Sequence, residues 1–319
     1  MMKQREDRKK PLVKIEIHDV DHGGCTVITG PAGHRLMLDC GLCSDRPWYP
    51  SIAYGGERID TLMLMNLDED HCEDLPHLWR ACAVGGLVTN PTVDARALRS
   101  MKVECGMRAG VAKATEILER FGTGFLGDWS HDLGGVAWHV FWNRYRVDFT
   151  DTNNLSLAAF VQFGPFTILF GGDLERPGWR QLLKNPAFRA KLATTTVYVA
   201  SHHGRENGCC DEIFDICHPE LVIFSDGRKQ YGTQETRDWY ARRTRGILDF
   251  GRPGGLLGQP LRKVMTTRRD GTITIEVGTD GRFWVSATRQ DSAPELSDLV
   301  ASLLSFGEND TYRRGSAPR

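Results

Sequence analysis

An apolar run at 59–65 ends in Asn66-Leu67-Asp68-Glu69-Asp70-His71, so a strand delivers three metal-competent side chains, Asp68, Asp70 and His71, into one short loop. The same grammar recurs twice. Residues 167–170 run into Gly171-Gly172-Asp173, and residues 196–200 run into Ser201-His202-His203-Gly204. One Asp and one His beside a strand would read as solvated loop residues. Three strand-then-ligand units in order point instead to a single site, because a hydrolytic metal centre needs ligands held by several rigid elements.

The rest of the chain supplies a scaffold for such a site. Residues 13–19, 26–29, 35–39 and 62–65 alternate or run apolar at strand length between Gly- or Pro-containing breaks, and predict a first sheet. A helix is expected over 73–83, and helical spacing over 93–121 is interrupted near Cys105-Gly106. The Trp- and His-rich stretch 128–150 reads as core or loop-anchoring aromatics leading into a strand at 155–163. Short, nearly continuous apolar runs at 166–170, 197–200 and 221–224 predict strands of a second sheet covered on both faces. Residues 273–277 and 282–287 predict a hairpin across Gly278-Thr279-Asp280-Gly281.

Bulk numbers narrow the class. With 40% hydrophobic and 25% charged residues, the chain can bury a core and is not disordered throughout. We expect one large domain at 11–290, a charged leader at 1–10, and a short helix (295–304) with a mobile polar tail within 291–319. Lys and Arg number 40 against 41 Asp and Glu, so no global field draws in a polyanion and any such contact must be local. No apolar stretch approaches the roughly 18 residues of a membrane span, and the start lacks a signal-peptide core, so we expect a cytoplasmic protein. The nine cysteines, odd in number and irregularly spaced, read as reduced thiols. Cys40-x-x-Cys43 lacks the second pair that a zinc knuckle needs, and Cys72 reads as a packed thiol.

Together with Asp39-Cys40-Gly41 after the strand at 35–38, these motifs resemble the metallo-β-lactamase superfamily, and within it the ComEC-type branch of DNA-uptake channel proteins and their stand-alone relatives. That branch reads His-x-Asp-x-Asp-His, then Gly-Asp, then His-His-Gly. The resemblance covers roughly residues 13–287 and includes Asn153-Asn154-Leu155-Ser156-Leu157 and the stretch 265–275, which looks like the family's closing hairpin. It implies a four-layer αββα sandwich, two mixed sheets flanked by helices. It also implies two divalent ions (Mn²⁺, Mg²⁺ or Zn²⁺): Asp70, His71 and one of His202 or His203 around one, and Asp173 bridging to another held partly by Asp68. The other histidine of the pair is left as a ligand, a substrate contact or a proton donor. Asp39, Asn154 and Ser156 are expected to support the ligands by hydrogen bonds.

The chain departs from the family pattern at two places. Asn66 replaces the first histidine, leaving an oxygen-dominated and weaker site that suits Mn²⁺ or Mg²⁺ over Zn²⁺. The early glycine-rich turn reads Asp19-Val20-Asp21-His22-Gly23-Gly24, and both His18 and His22 are left outside the ligand set. After the strand at 221–224, a basic run of Arg228, Lys229, Arg237, Arg242 and Arg243 with Tyr231 and Tyr240 interleaved suits phosphates and bases. The leading expectation is a metal-dependent phosphodiesterase or nuclease acting on DNA. The alternatives are a hydrolase of a small phosphodiester, nucleotide, ester or lactone, or a catalytically altered partner protein of the same fold.

Overall fold

The computed structural model describes residues 13–43, 45–104, 106–127, 132–227, 235–248 and 261–288. The expected leader, the tail helix, Arg228, Lys229 and Tyr231 lie outside the described residues. Fourteen strands are present among them: β1 (Val13–Ile17), β2 (Thr26–Thr29), β3 (Arg35–Leu38), β4 (Arg58–Met63), β5 (Ala83–Val88), β6 (Phe125–Gly127), β7 (Ala137–Trp142), β8 (Leu157–Phe163), β9 (Phe166–Phe170), β10 (Val197–Val199), β11 (Leu221–Phe224), β12 (Val264–Thr266), β13 (Ile273–Val277) and β14 (Phe283–Ala287).

They form two mixed sheets, ordered β14-β13-β1-β2-β3-β4-β5-β6 and β12-β11-β10-β9-β8-β7. In β1 the apolar Val13, Ile15 and Ile17 face inward while Lys14 is exposed, the period-2 pattern of a strand with one covered face. The parallel strands β9 to β12 are buried along their whole length because they are covered on both faces. Between the sheets lies a core that joins Ile15, Leu38 and Met63 of the first to Ile168, Val197 and Ile223 of the second.

Outside the first sheet, Met37 and Leu62 pack against Leu78, Leu98 and Ile117 of helices Leu75–Ala81, Ala95–Met101 and Ala109–Phe121. Outside the second, Leu169 and Val222 pack against Trp179, Phe188 and Tyr240 of helices Arg176–Leu182, Pro186–Leu192 and Arg237–Ala241. The layers are therefore αββα, as expected. Trp138, within the aromatic stretch, is fully buried between the sheets.

Local reading misplaced some elements. The expected helix at 73–83 is Leu75–Ala81, and Ala83 already begins β5, whose Gly85 and Gly86 masked its strand character. Gly85 is needed there because a Cβ would meet the Asp60 carbonyl oxygen at 2.8 Å. Met265 belongs to β12, parallel to β11 in the second sheet, and not to the closing hairpin. That hairpin, β13-β14, completes the first sheet by pairing antiparallel with β1. Such pairings depend on partners remote in sequence, which an apolar run does not name.

Candidate metal centre

The three ligand-bearing loops leave the C-terminal ends of β4, β9 and β10. The first is clamped from several sides. Glu69 accepts the backbone N–H groups of Gly110 (2.8 Å) and Val111 (3.0 Å), capping helix Ala109–Phe121 and docking the loop on it. On the other side the Asp70 carbonyl oxygen rests against two glycines, where a Cβ would come within 2.2 Å at Gly23 and 2.5 Å at Gly41.

Asp173 follows β9 through Gly172, whose φ of +51° turns the chain back toward the first sheet. Ser156 Oγ accepts the Asp173 N–H at 3.0 Å, and Asn154 Oδ1 accepts the Gly178 N–H at 2.9 Å, holding the next helix in place. After β10, His202 and His203 adopt left-handed backbone conformations in succession, with φ of +48° and +54°. Two consecutive non-glycine residues in this region are uncommon and cost free energy that the surrounding packing must offset. Trp179 Nε1 donates to Ser201 Oγ at 3.0 Å just before the turn, and Gly204 follows at φ +74°.

Four side chains converge. Asp70, His71, Asp173 and His203 each offer one ligand atom, and these atoms all lie within 4.8 Å of one another. His71 Nε2 stands 3.1 Å from Asp173 Oδ1, and His203 Nε2 stands 3.3 Å from Asp70 Oδ2 and 3.5 Å from Asp173 Oδ1. Each imidazole is braced on its far side: His71 Nδ1 is 2.8 Å from Asp39 Oδ2, and His203 Nδ1 is 2.8 Å from the Ser225 carbonyl oxygen. Those acceptors hold the proton on Nδ1 and turn the Nε2 lone pair inward. His71 Nε2, His203 Nε2 and Asp173 Oδ1 are buried and make no hydrogen bond.

The electrostatics agree. Burial disfavours the charged imidazoles, yet the carboxylates of Asp173, Asp39 and Asp70 raise the His71 pKa well above its ordinary value, and Asp173 and Asp70 raise that of His203. Burial likewise opposes the charged carboxylates, but His71 and His203 hold Asp70 and Asp173 below the usual range. A field that favours a positive charge on both rings also favours a divalent cation between them. The donor set, two imidazole nitrogens and two carboxylates with orphaned inward atoms, fits one.

The remaining candidates lie around this cluster in different ways. Asp39 accepts the Met65 N–H at 2.7 Å as well as facing His71. Asp68 is not in the four-membered group: it accepts from Lys102 Nζ and, at 2.8 Å, from Thr152 Oγ1. Asn66 is buried, lines a cavity of about 10 Å³ with Thr152 and Leu155, and makes no side-chain hydrogen bond. His202 points its Nδ1 toward Glu175, 3.6 Å away, and stands outside the group too.

Of the basic run, Arg237 and Arg242 are exposed, whereas Arg243 is tied to Asp211 and lies 3.9 Å over the Trp239 ring. Tyr240 is fully buried against Phe224 and Tyr198, so its ring offers no face to a base.

Sequence reasoning passed over two neighbours of the cluster. The His22 ring lies 6.1 Å from that of His203, and both its nitrogens are buried without a hydrogen bond. Burial, then His203 and Arg205, lower its pKa. Arg205 directly follows the His-His-Gly turn and, after burial and His203, lowers the pKa of His202. Only the position of His22 in the early glycine-rich turn could have signalled it.

No family model matches the chain. It is 22% identical to ComE operon protein 3 of Bacillus subtilis (strain 168), in a match that covers 67% of this chain and 28% of that protein. Among solved structures it is similar to CmlA, a diiron β-hydroxylase from Streptomyces venezuelae, with a TM-score of 0.47 and 13% identity over 83% of this chain and 54% of that one. It is also similar to the metallo-β-lactamase fold protein YhfI from Bacillus subtilis, with a TM-score of 0.44 and 10% identity over 86% of this chain and 99% of that one. No helix among the described residues is long and apolar enough to cross a membrane. With two mixed sheets face to face, helices on both outer faces and the candidate ligand loops at the C-terminal ends of β4, β9 and β10, the chain has the αββα architecture that its resemblance to the metallo-β-lactamase superfamily implied.

Proposed function

We propose that this protein is a metal-dependent hydrolase whose substrates are phosphodiesters, with DNA as the substrate class. The observation that carries the reading is the convergence of Asp70, His71, Asp173 and His203, with three of the inward atoms buried and unpartnered. These four would hold the ion. Bound there, a divalent cation lowers the pKa of water toward neutrality and polarises the bond under attack.

The chain's own residues do the remaining work. Asp39 and the Ser225 carbonyl keep the two imidazoles in the tautomer that presents Nε2. His22 stands beside the cluster, where a ring N–H can donate to a phosphoryl oxygen, and Arg205 directly follows the His-His-Gly turn, where a guanidinium can do the same. His202 lies next to the ligand His203 and within reach of Glu175, a placement suited to passing a proton to a leaving oxygen.

The DNA reading is supported by the ComEC-type motifs and by the basic segment. Thr236, one residue before the exposed Arg237, donates to the carbonyl of Gly204 in the His-His-Gly turn, so the segment starts against the site. The burial of Tyr240 and the pairing of Arg243 favour the second reading, a small phosphodiester, because they shorten the surface along which a strand could run.

The test is a panel of single-stranded DNA, duplex DNA, RNA and bis-nitrophenyl phosphate, assayed with chelator-stripped protein reloaded with Mn²⁺, Mg²⁺ or Zn²⁺. Metal-restored cleavage of an oligonucleotide is expected. Turnover of bis-nitrophenyl phosphate alone selects the small-substrate reading, and failure on every phosphodiester refutes both.

A further inference from the structure

We propose that the centre holds a single ion, and that the ammonium of Lys102 serves at Asp68 as the positive charge a second ion would otherwise bring. The inference rests on the reading that Asp70, His71, Asp173 and His203 hold a cation.

Asp68 leaves β4 in the same loop as two of those residues, and its position suits a ligand. Both of its oxygens are nevertheless engaged, Oδ1 by Lys102 Nζ and Oδ2 by Thr152 Oγ1. The pair is largely enclosed, with 13% of the Lys102 side chain and 22% of the Asp68 side chain exposed. An ammonium so enclosed requires a compensating anion, and a carboxylate so enclosed requires a cation. Lys102 directly follows helix Ala95–Met101, where the final carbonyls of the helix also favour positive charge.

Charge and donor count lead to the same result. Among the four converging side chains, Asp70 and Asp173 supply two negative charges, which one divalent ion matches, while the Asp39 carboxylate lies behind His71 and is held by its Nδ1 and by the Met65 N–H. Asp68 and Lys102 cancel each other. Asn66, earlier in the loop, contributes only a neutral amide. Among the described residues, the Asp70–His71–Asp173–His203 group is the one cluster of three or more His, Cys, Asp or Glu side chains able to hold a metal ion. A second cation would have to displace a covalently tethered ammonium from Asp68.

The experiment is a Mn²⁺ titration of chelator-stripped full-length protein, with bound metal counted by elemental analysis and folding checked by circular dichroism. Wild-type protein should saturate at one equivalent. Lys102→Met keeps the aliphatic stem, removes the charge, and should admit a second, weaker equivalent. The double replacement of Asp68→Asn with Lys102→Met leaves neither charge unpaired and should keep one equivalent, without the roughly 10- to 100-fold loss of affinity that removal of a metal-supporting group brings.

Two equivalents in wild-type protein would overturn the single-ion centre while leaving the hydrolase reading intact. No bound ion in wild-type protein would overturn both. A Lys102→Met variant that stays at one equivalent at saturating Mn²⁺ would reduce Lys102 to a structural ion-pair partner. A double variant that loses its ion would make Asp68 a ligand, and either result overturns the substitution proposed.

Discussion

Asp39 stands directly behind His71, with its Oδ2 2.8 Å from Nδ1 while its Oδ1 accepts the Met65 N–H at 2.7 Å. The carboxylate thus joins the imidazole to the end of the strand that carries it. Asp39→Asn would place an N–H donor opposite Nδ1, forcing the ring proton to Nε2 and capping the atom that faces Asp173. Asn tolerates the left-handed backbone of this position, φ +60°, so the fold should persist. We expect metal affinity to fall by about 10- to 100-fold, as read by competition with a chelating dye. Unchanged affinity would detach Asp39 from the metal.

Asp173→Asn removes one of the two carboxylates of the cluster at nearly constant volume. The variant should lose hydrolysis and also the metal dependence of its melting temperature. In wild-type protein an ion at about 100 times its Kd adds ~2.7 kcal/mol of stability, and chelator removes it. If chelator lowers the melting point of the variant as much as that of the wild type, the ion is held elsewhere.

Gly41→Ala tests the packing under the first loop. The added Cβ would lie 2.5 Å from the Asp70 carbonyl oxygen and 3.0 Å from that of Gly24, both backbone atoms that cannot swing aside. Overpacking of this kind typically costs about 1–3 kcal/mol, so the urea midpoint should drop. Metal affinity should fall with it, because Asp70 is displaced. A variant with wild-type affinity would show that the loop relaxes without moving its ligand.

His18 should make the protein sensitive to mild acid. It is 6% exposed, stacks on Trp48 with 4.3 Å between centroids and lies 2.7 Å from Tyr54 Oη, and burial lowers its pKa to about 4. Because the folded pKa is lower than the unfolded one, the folded state binds fewer protons. Its contribution is complete above the unfolded value near 6.5 and is lost as pH falls through 6.5 toward 4. The fall from 6.5 to about 4 corresponds to roughly 3 kcal/mol. The urea midpoint of His18→Gln should therefore change less between pH 7 and pH 4 than that of the wild type. Parallel curves for the two proteins would remove His18 as the cause.

If Arg237 and Arg242 contact a nucleic-acid backbone, each contact should contribute about −0.7 to the slope of log affinity against log salt for a single strand. Replacing both with Gln should flatten that slope by roughly one unit or more and spare turnover of bis-nitrophenyl phosphate. Equal losses on the oligonucleotide and the small substrate would indicate damage to the metal site. No loss on either would mark both arginines as solvated surface.

How far the chain could be read without its fold follows from what is local. Strands β2, β9 and β11 coincide with apolar runs whose ends are set by adjacent glycine or polar residues, and the two-sheet architecture follows from their number and order. Asp70, His71, Asp173 and the histidine pair were legible as candidates because each sits in the short segment that follows an apolar run. Their roles were not. His203 faces the cluster and His202 faces Glu175 because two left-handed residues in succession aim neighbouring side chains in different directions, and no periodicity encodes that turn. Tyr240 belongs to a basic stretch in sequence, but its helix turns it into the core.

The partners of the site are remote in the chain: Asp68 meets Lys102 34 residues later, and Ser225 accepts His203 from the next strand of the sheet. Most strand ends are written locally, because burial periodicity is a property of neighbouring residues. Which of those residues meet is a matter of the fold, since loop closure brings together groups whose charges and lone pairs act over a few ångströms and have no signature along the chain.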